Sequence, residues 1–120
     1  MVESDLPTIE LYCGVLSQEY EVLARHNESG ALEALSSSNV RAIIVEPALG
    51  GGRGWGILAA IQNTIQQHHI PLIVCTTSDQ RKRGLEMGAA AFLVKPVLPG
   101  LLRETLRQLQ HAQPIRYEKR

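Results

Sequence analysis

Short apolar runs alternate along the chain with segments in which apolar residues recur every three or four positions. Runs rich in β-branched residues, such as Ile43-Ile44-Val45, predict parallel strands that are buried on both faces. Short strands are predicted at residues 20–25, 40–46, 70–77 and 90–94. The helical spacing predicts helices at residues 6–18, 29–38, 55–67, 79–88 and 98–110. Strands that alternate with helices predict an α/β fold with a doubly wound parallel sheet.

Two predicted helices carry specific expectations. Gly88 is expected to end the polar helix 79–88 as its C-terminal cap. In the last helix, four leucines are expected to face the core: Leu101, Leu102, Leu106 and Leu109. We assign residues 1–112 to one domain and residues 113–120 to a polar C-terminal tail.

Composition narrows the class of protein. The chain has 120 residues, 44% of them hydrophobic, and its twelve basic residues balance twelve acidic ones. This balance gives no argument for a nucleic acid or membrane partner, and we expect neither. The N-terminus lacks the features of a secretory signal, so we expect a cytoplasmic protein. Cys13 and Cys75 are then expected to be reduced core thiols.

Polar side chains follow three predicted strands at the point where each strand ends. They are Glu46, then Thr76 and Thr77, then Lys95. In doubly wound sheets, ligands bind beyond the carboxyl ends of the strands. One acid, one or two hydroxyls and one ammonium at this edge are suited to an oxyanion, or to a metal with its counter-charges.

Five glycines lie between positions 50 and 56, directly after the strand that ends at Glu46. The segment is not a phosphate-binding P-loop, because no Lys-Ser/Thr pair follows the glycines. It does not match GxGxxG either, since Ile57 follows Gly52 and Gly54 where the last glycine is required. We interpret it as a strand-to-helix turn. A small nucleotide-binding enzyme that uses these glycines is the weakest alternative.

The order of these features resembles the response-regulator receiver domain, the CheY-like module of two-component signalling. Residues 70–97 carry a strand that ends in Thr, a Gly-Ala pair before the next strand, and Lys-Pro at its end. Residues 40–62 are similar to the acceptor strand, its loop and the following glycine. Residues 2–23 are similar to the acid-pair turn, the first helix and the second strand. The resemblance implies a flavodoxin-like receiver fold.

The resemblance also implies roles for single residues. Glu46 falls at the phosphoacceptor position, and Thr76, with Thr77 beside it, at the hydroxyl that contacts the phosphoryl group. Lys95 falls at the lysine that pairs with the phosphoryl group, and the family's cis bond would fall at Lys95-Pro96.

A metal and a switch residue follow from the same resemblance. Glu3 and Ser4 fall at the acidic pair that holds Mg²⁺ together with the acceptor residue, here Glu46. Phe92 falls at the aromatic switch position.

The chain departs from the family pattern at these positions. Glu46 replaces the usual Asp, and its longer side chain is expected to reach towards Lys95 and Thr76 and to imitate the phosphorylated state in part. Ser4 replaces an acid, which lowers the expected Mg²⁺ affinity, unless Asp5 substitutes for it. The segment between the strand that ends in Thr76 and Gly88 is short for the family.

The chain also departs from the family pattern in its first strand, because only Met1 and Val2 precede Glu3. Three explanations stay open. The strand is short or missing, the true start lies upstream, or another chain supplies the edge.

We therefore predict an atypical, stand-alone receiver domain that acts through protein–protein interaction and is not an enzyme. Its expected partners are signalling proteins such as a histidine kinase or a downstream effector, and a homodimer stays open. We expect it to act independently of phosphorylation. The alternative is an Mg²⁺-dependent response regulator that accepts a phosphoryl group in a phosphorelay.

Overall fold

Three short parallel strands form the centre of the described chain, and five helices pack around them. The strands are β1 (Ile43–Val45), β2 (Leu72–Thr76) and β3 (Ala91–Val94), in the order β1-β2-β3. The helices are α1 (Leu6–Leu16), α2 (Glu28–Ser37), α3 (Leu49–Gln67), α4 (Arg81–Glu86) and α5 (Pro99–Glu118). The predicted α/β fold is confirmed.

This computed structural model describes the backbone of residues 1–118 and the side chains of residues 1–110. The predicted polar tail, residues 113–120, lies outside the described side chains. The boundary at residue 112 therefore stays a prediction.

The first strand is present but very short. Val2 bridges β1 at Val45 on one side and Arg25 on the other, both in parallel orientation. Residues 1–3 thus lie in the middle of the sheet. The predicted strand at residues 20–25 is wrong, since Arg25 alone forms a bridge. Its neighbour is too short to offer residues 20–24 a ladder of main-chain partners.

The core has two parts, one on each face of the sheet, because side chains alternate along a strand. On one face, Val45 and Val74 pack with the buried stripe of α3. This stripe is the predicted set of Ile57, Leu58, Ile61 and Ile65. On the other face, Ile44 and Ile73 pack with α1 and α5. The sheet is therefore covered on both sides, as its apolar strands predict.

Helix α5 departs from the prediction at one position. Leu102 and Leu106 are buried and Leu109 packs partly against the core, but Leu101 is 52% exposed. Adjacent residues of an α-helix point about 100° apart, so the face that buries Leu102 turns Leu101 towards solvent.

Polar residues and glycine define the helix ends. The Asp5 carboxylate accepts a hydrogen bond from the Thr8 N–H at the start of α1. After α4, Gly88 has a positive φ of 94° and its N–H donates to the Leu85 carbonyl at 3.0 Å. The predicted C-terminal cap at Gly88 is confirmed, because this left-handed conformation suits glycine.

Both cysteines carry free thiols, as expected for reduced residues. Cys75 is buried in β2, and burial raises the pKa of its thiol to about 11. Cys13 in α1 is half-buried. Within the described residues, no helix has both the length and the apolar character that crossing a membrane requires.

Candidate functional site

The polar strand ends meet at the carboxyl edge of the sheet, as the sequence predicts. Glu46 directly follows β1, Thr76 ends β2, and Lys95 directly follows β3. The Lys95 N–H donates to the Thr76 carbonyl at 2.7 Å, which fixes the start of the Lys95 side chain beside β2. Because the three strands are parallel neighbours, these residues lie at one edge of the sheet, which we call the Lys95 pocket.

The Lys95 ammonium lies between two buried carboxylates. Its Nζ is 2.6 Å from Glu3 Oε1 and 3.1 Å from Glu46 Oε1. Glu3 is 5% exposed and Glu46 is 7% exposed, so water screens these contacts little. Burial alone would lower the pKa of Lys95, but the hydrogen bonds and charges of Glu3 and Glu46 outweigh burial and raise it. The lysine is held in its charged form.

Main-chain donors hold the other oxygen of each acid. Glu3 Oε2 accepts from the N–H groups of Ser4 and Asp5 at 3.0 and 3.3 Å. Glu46 Oε2 accepts from the Ala48 N–H at 3.1 Å. All four carboxylate oxygens thus have a donor within the chain. A charged network whose members are all hydrogen-bonded holds its side chains in one geometry.

The glycine segment brings α3 close to Glu46. A Cβ on Gly54 would lie 2.4 Å from Pro47 Cα and 2.5 Å from the Glu46 carbonyl oxygen, so only glycine permits this approach. Gly50, Gly51 and Gly52 all have positive φ, which breaks the regular helix at its start. The predicted turn therefore lies inside the bounds of α3 and supports the loop that carries Glu46.

The remaining pocket residues differ in their exposure. Thr76 is 1% exposed, and its hydroxyl accepts a hydrogen bond from the Ser78 N–H at 3.3 Å. Thr77 is exposed. The Lys95-Pro96 peptide bond is cis, as the resemblance implies. Thr76 is thus buried at this edge of the sheet, whereas the side chains of Thr77 and Pro96 are both exposed.

The aromatic residue Phe92 is buried in β3 and lies against α4. A Cβ on Gly84 would lie 2.5 Å from Phe92 Cδ2, so the absence of a side chain at Gly84 makes room for the ring. The Arg81 guanidinium lies 5.4 Å from the ring centroid. Sequence reasoning missed Gly84, and the only signal was a glycine inside a short helix.

Trp55 connects α3 to α4. The Arg83 guanidinium carbon lies 4.1 Å from the centre of the Trp55 ring, a cation–π contact. The tryptophan also packs partly against the core cluster. Arg53 is exposed, and Glu46 pairs with Lys95.

Glu3, Ser4 and Glu46 do not form a ready site for Mg²⁺. Both acids already hold the Lys95 ammonium, which the metal would have to displace. Ser4 is exposed, and Asp5 is used to cap α1. Within the described residues, no group of three or more His, Cys, Asp or Glu side chains is arranged to hold a metal. The carboxylates of Glu3 and Glu46 instead bind a cation of the chain itself, the Lys95 ammonium.

Comparisons with known proteins agree with this geometry. The family model described as "Response regulator receiver domain" matches residues 2–107. The phosphate regulon transcriptional regulatory protein PhoB of Klebsiella pneumoniae is 27% identical over 103 residues, which are 82% of this chain and 45% of PhoB. The two-component response regulator ORR3 of Oryza sativa subsp. indica is 31% identical over 87 residues, which are 69% of this chain and 66% of ORR3.

The chain spans less than half the length of PhoB and about two-thirds of ORR3. A solved structure shows the same fold: a CheY-like response regulator receiver domain protein from Methanospirillum hungatei JF-1. It matches with a TM-score of 0.82 at 19% identity and covers 96% of this chain and 94% of its own. With the family match across residues 2–107, the chain belongs to the response regulator receiver domain family of two-component signalling.

Proposed function

We propose that this receiver domain acts as an interaction module whose signalling conformation is set without phosphorylation. The observation that carries the proposal is the position of the Lys95 ammonium, 2.6 Å from Glu3 Oε1 and 3.1 Å from Glu46 Oε1. Glu46 stands at the acceptor position, and its carboxylate is already bound to the lysine that would otherwise meet a phosphoryl group.

The physical argument concerns the cost of opening the site. A phosphoryl donor must approach a free oxygen of Glu46, whereas both oxygens accept hydrogen bonds from Lys95 and Ala48. If one of these hydrogen bonds breaks, a buried polar group loses its partner. The free energy of the site then rises by the full desolvation cost of that group. Attack also needs in-line geometry, and small misplacements of a nucleophile cost rate. Both effects oppose phosphorylation of Glu46.

The surrounding residues support a single conformation of the pocket. Thr76 is buried with its hydroxyl occupied by the Ser78 N–H. Phe92, the proposed switch aromatic, is buried, and its ring packs against Gly84. We infer that Phe92 remains inward in the working protein. The face presented to a partner is then constant and does not depend on a phosphodonor.

The proposed partner is another protein of two-component signalling, such as a histidine kinase or a downstream effector. The family assignment supports this class of partner, and we propose a cytoplasmic location with neither a nucleic acid nor a membrane surface as ligand. The chain carries equal numbers of basic and acidic residues, which favours neither of those surfaces.

Intact-mass spectrometry after incubation with a small-molecule phosphodonor and Mg²⁺ tests the proposal. The native chain is expected to keep its mass. The matched variant Glu46→Asp shortens the acid by one methylene and weakens its reach to Lys95, and it serves as the comparison. A gain of one phosphoryl group by the native chain, removed in Glu46→Gln, would overturn the proposal in favour of a phosphorylatable regulator.

A further inference from the structure

The outer surface of α4 carries three consecutive cations. Arg81, Lys82 and Arg83 are all exposed, and Leu85 in the same helix is 51% exposed. Trp55, half-buried in α3, lies beside them through its contact with Arg83. We call these five residues the α4 basic surface. It is separate from the Lys95 pocket, whose hydrogen bonds among the described residues involve none of the five.

The cations of this surface have no acid partner among the side chains of residues 1–110. Glu86 follows Lys82 by four residues and Arg83 by three, the spacings at which acid–base pairs form along a helix. No ion pair joins Glu86 to either of them. On the α1–α5 face, by contrast, Arg107 pairs with Glu19. The positive charge of α4 is therefore left to solvent or to a partner.

Aromatic rings hold two of the cations in place. The Arg83 guanidinium carbon lies 4.1 Å from the centre of the Trp55 ring, and that of Arg81 lies 5.4 Å from the centre of the Phe92 ring. A guanidinium stacked by its face keeps its N–H donors at its edge, where they match the two oxygens of a carboxylate. Among the described residues, neither arginine donates these N–H groups to an acceptor. Because both side chains are already ordered, a partner that binds them loses less conformational entropy.

The composition of the surface indicates the chemistry of a partner. Lys82 and Leu85 are three positions apart, so they lie on the same side of α4 and place an ammonium beside an exposed apolar side chain. A segment that carries both carboxylates and apolar side chains can pair with the cations and cover Leu85. Charge complementarity of this kind speeds the encounter of two proteins and fixes their register.

A nucleic acid fits this surface less well than a protein does. Helix α4 has six residues, so its axis is about 9 Å long. Asp79 and Glu86 place exposed negative charges beside its two ends, where they would repel phosphates. Nucleic-acid sites are extended basic patches or stripes, and a phosphate backbone has no apolar group to cover Leu85. The observations therefore favour an acidic segment of a protein.

We propose that the α4 basic surface binds an acidic segment of a partner protein. Carboxylates of the segment pair with Arg83 and Lys82, Arg81 adds a third positive charge, and an apolar side chain of the segment packs on Leu85. The proposal rests on the interaction role proposed above for the existence of a partner, and it specifies the chemistry of that partner. Because the ion pairs are exposed, the affinity is expected to fall as salt is added.

The test is a titration of the 120-residue chain with a capped peptide in which pairs of glutamates alternate with single leucines. Trp55 is the only tryptophan, so its fluorescence reports on the contact with Arg83. The ¹⁵N signals of Lys82 and Arg83 report on the helix itself. We expect saturable changes in the fluorescence and in both signals.

Two matched peptides separate charge from apolar contact. A peptide with glutamine in place of every glutamate keeps its size but loses its charge, and its affinity is expected to fall about 10-fold or more. A peptide with serine in place of every leucine keeps its charge and loses the contact with Leu85. Its affinity is expected to fall by a smaller factor, because only the burial of apolar surface is lost.

Variants of the chain provide the second comparison. Arg83→Glu reverses one charge of the surface and is expected to weaken binding of the glutamate peptide about 5-fold or more. Arg41→Glu is the matched control, since Arg41 is exposed before β1, at the opposite edge of the sheet from the start of α4, and its affinity should be nearly that of the native chain. If Arg83→Glu fails to fold by circular dichroism, the comparison of the peptides on the native chain decides alone.

Several results would overturn the proposal. They are no binding, equal affinity of the glutamine peptide, equal affinity of a folded Arg83→Glu variant, or signals of Trp55, Lys82 and Arg83 that do not change. Tighter binding of a duplex DNA than of the glutamate peptide would identify a nucleic acid as the partner instead. Changes that grow with protein concentration in the absence of peptide would identify a second copy of the chain. All these measurements are made without Mg²⁺ or phosphodonor, so their failure leaves the proposal for Glu46 untouched.

Discussion

Lys95 and Glu3 lie 92 positions apart in the sequence, and their side chains meet at 2.6 Å in the pocket. Two elements bring them together: the short first strand in the middle of the sheet, and the end of the edge strand β3. The contact links the centre of the sheet to its edge across the ends of β1 and β2. It places a positive charge between the two acids of the site.

Removing the Lys95 ammonium is expected to destabilise the domain. Lys95→Met keeps most of the length of the side chain but leaves Glu3 and Glu46 as neighbouring buried acids without a counter-charge. We expect a loss of about 2–4 kcal/mol in the free energy of unfolding, measured by urea denaturation. Lys82→Met, at an exposed position of α4, is the matched control and is expected to change little.

A triple variant tests the cause of that loss. Combining Lys95→Met with Glu3→Gln and Glu46→Gln removes both unpaired charges, and part of the lost stability is expected to return. If the triple variant is less stable than Lys95→Met alone, repulsion between the two acids is not the cause.

Magnesium binding is expected to appear when the internal cation is removed. In the native chain, Mg²⁺ has to displace Lys95 from both carboxylates, so millimolar Mg²⁺ should leave the Ser4 and Ala48 amide signals in place. In Lys95→Met, the two acids are free to bind the metal through oxygen, and the same signals should shift saturably. If the native chain binds Mg²⁺ as tightly as the variant, Lys95 does not keep the metal from Glu3 and Glu46.

The contribution of Lys95 to stability is expected to depend on pH at the alkaline end. Its pKa is raised from the ordinary value of 10.5, because the contacts with Glu3 and Glu46 outweigh burial. A raised folded-state pKa stabilises the fold fully below the unfolded pKa and loses this effect as pH rises through the folded value. The stability difference between the native chain and Lys95→Met should therefore stay constant between about pH 7 and pH 10 and shrink above about pH 10.5. A difference that shrank already between pH 7 and 9 would refute the assignment to Lys95.

The absence of a side chain at Gly84 is expected to be necessary for the packing of the Phe92 ring. Gly84→Ala would put a Cβ 2.5 Å from the Phe92 ring, and we expect it to cost about 1–3 kcal/mol through overpacking. Gly14→Ala is the matched control, since Gly14 is an exposed helical glycine with open space at the Cβ position. It should stabilise the domain by about 0.5–1 kcal/mol. Thermal unfolding of both variants measures this difference in stability. Equal effects of the two substitutions would show that the Phe92 ring does not require a glycine at position 84.

The sequence was sufficient to predict the strand ends. Each apolar run stops at a polar residue, Glu46, Thr76 or Lys95, and these residues mark the carboxyl edge of the sheet. It also supported the cap at Gly88, which depends on local backbone geometry. These features require only neighbouring residues in the chain, and they were the reliable part of the prediction.

Features that depend on distant contacts could not be read in the same way. The predicted strand at residues 20–25 was wrong because only Arg25 pairs in the sheet, through its bridge to Val2. Leu101 was expected to be buried because Leu101 and Leu102 are adjacent leucines. The sequence does not indicate which of the two sides of α5 faces the sheet. The contact of Gly84 with Phe92 joins α4 to β3, and no local pattern marks it.

We propose that Lys95 holds Glu3 and Glu46 in a fixed arrangement that needs no phosphoryl group. The most direct test is an NMR titration of the native chain with Mg²⁺ and then beryllofluoride, a phosphoryl mimic, observing the Ser4 and Ala48 amides and the Phe92 ring. We expect no saturable change in any of these signals. Saturable shifts of both amides, accompanied by movement of the Phe92 ring, would contradict it and show that the pocket still responds to metal and phosphoryl.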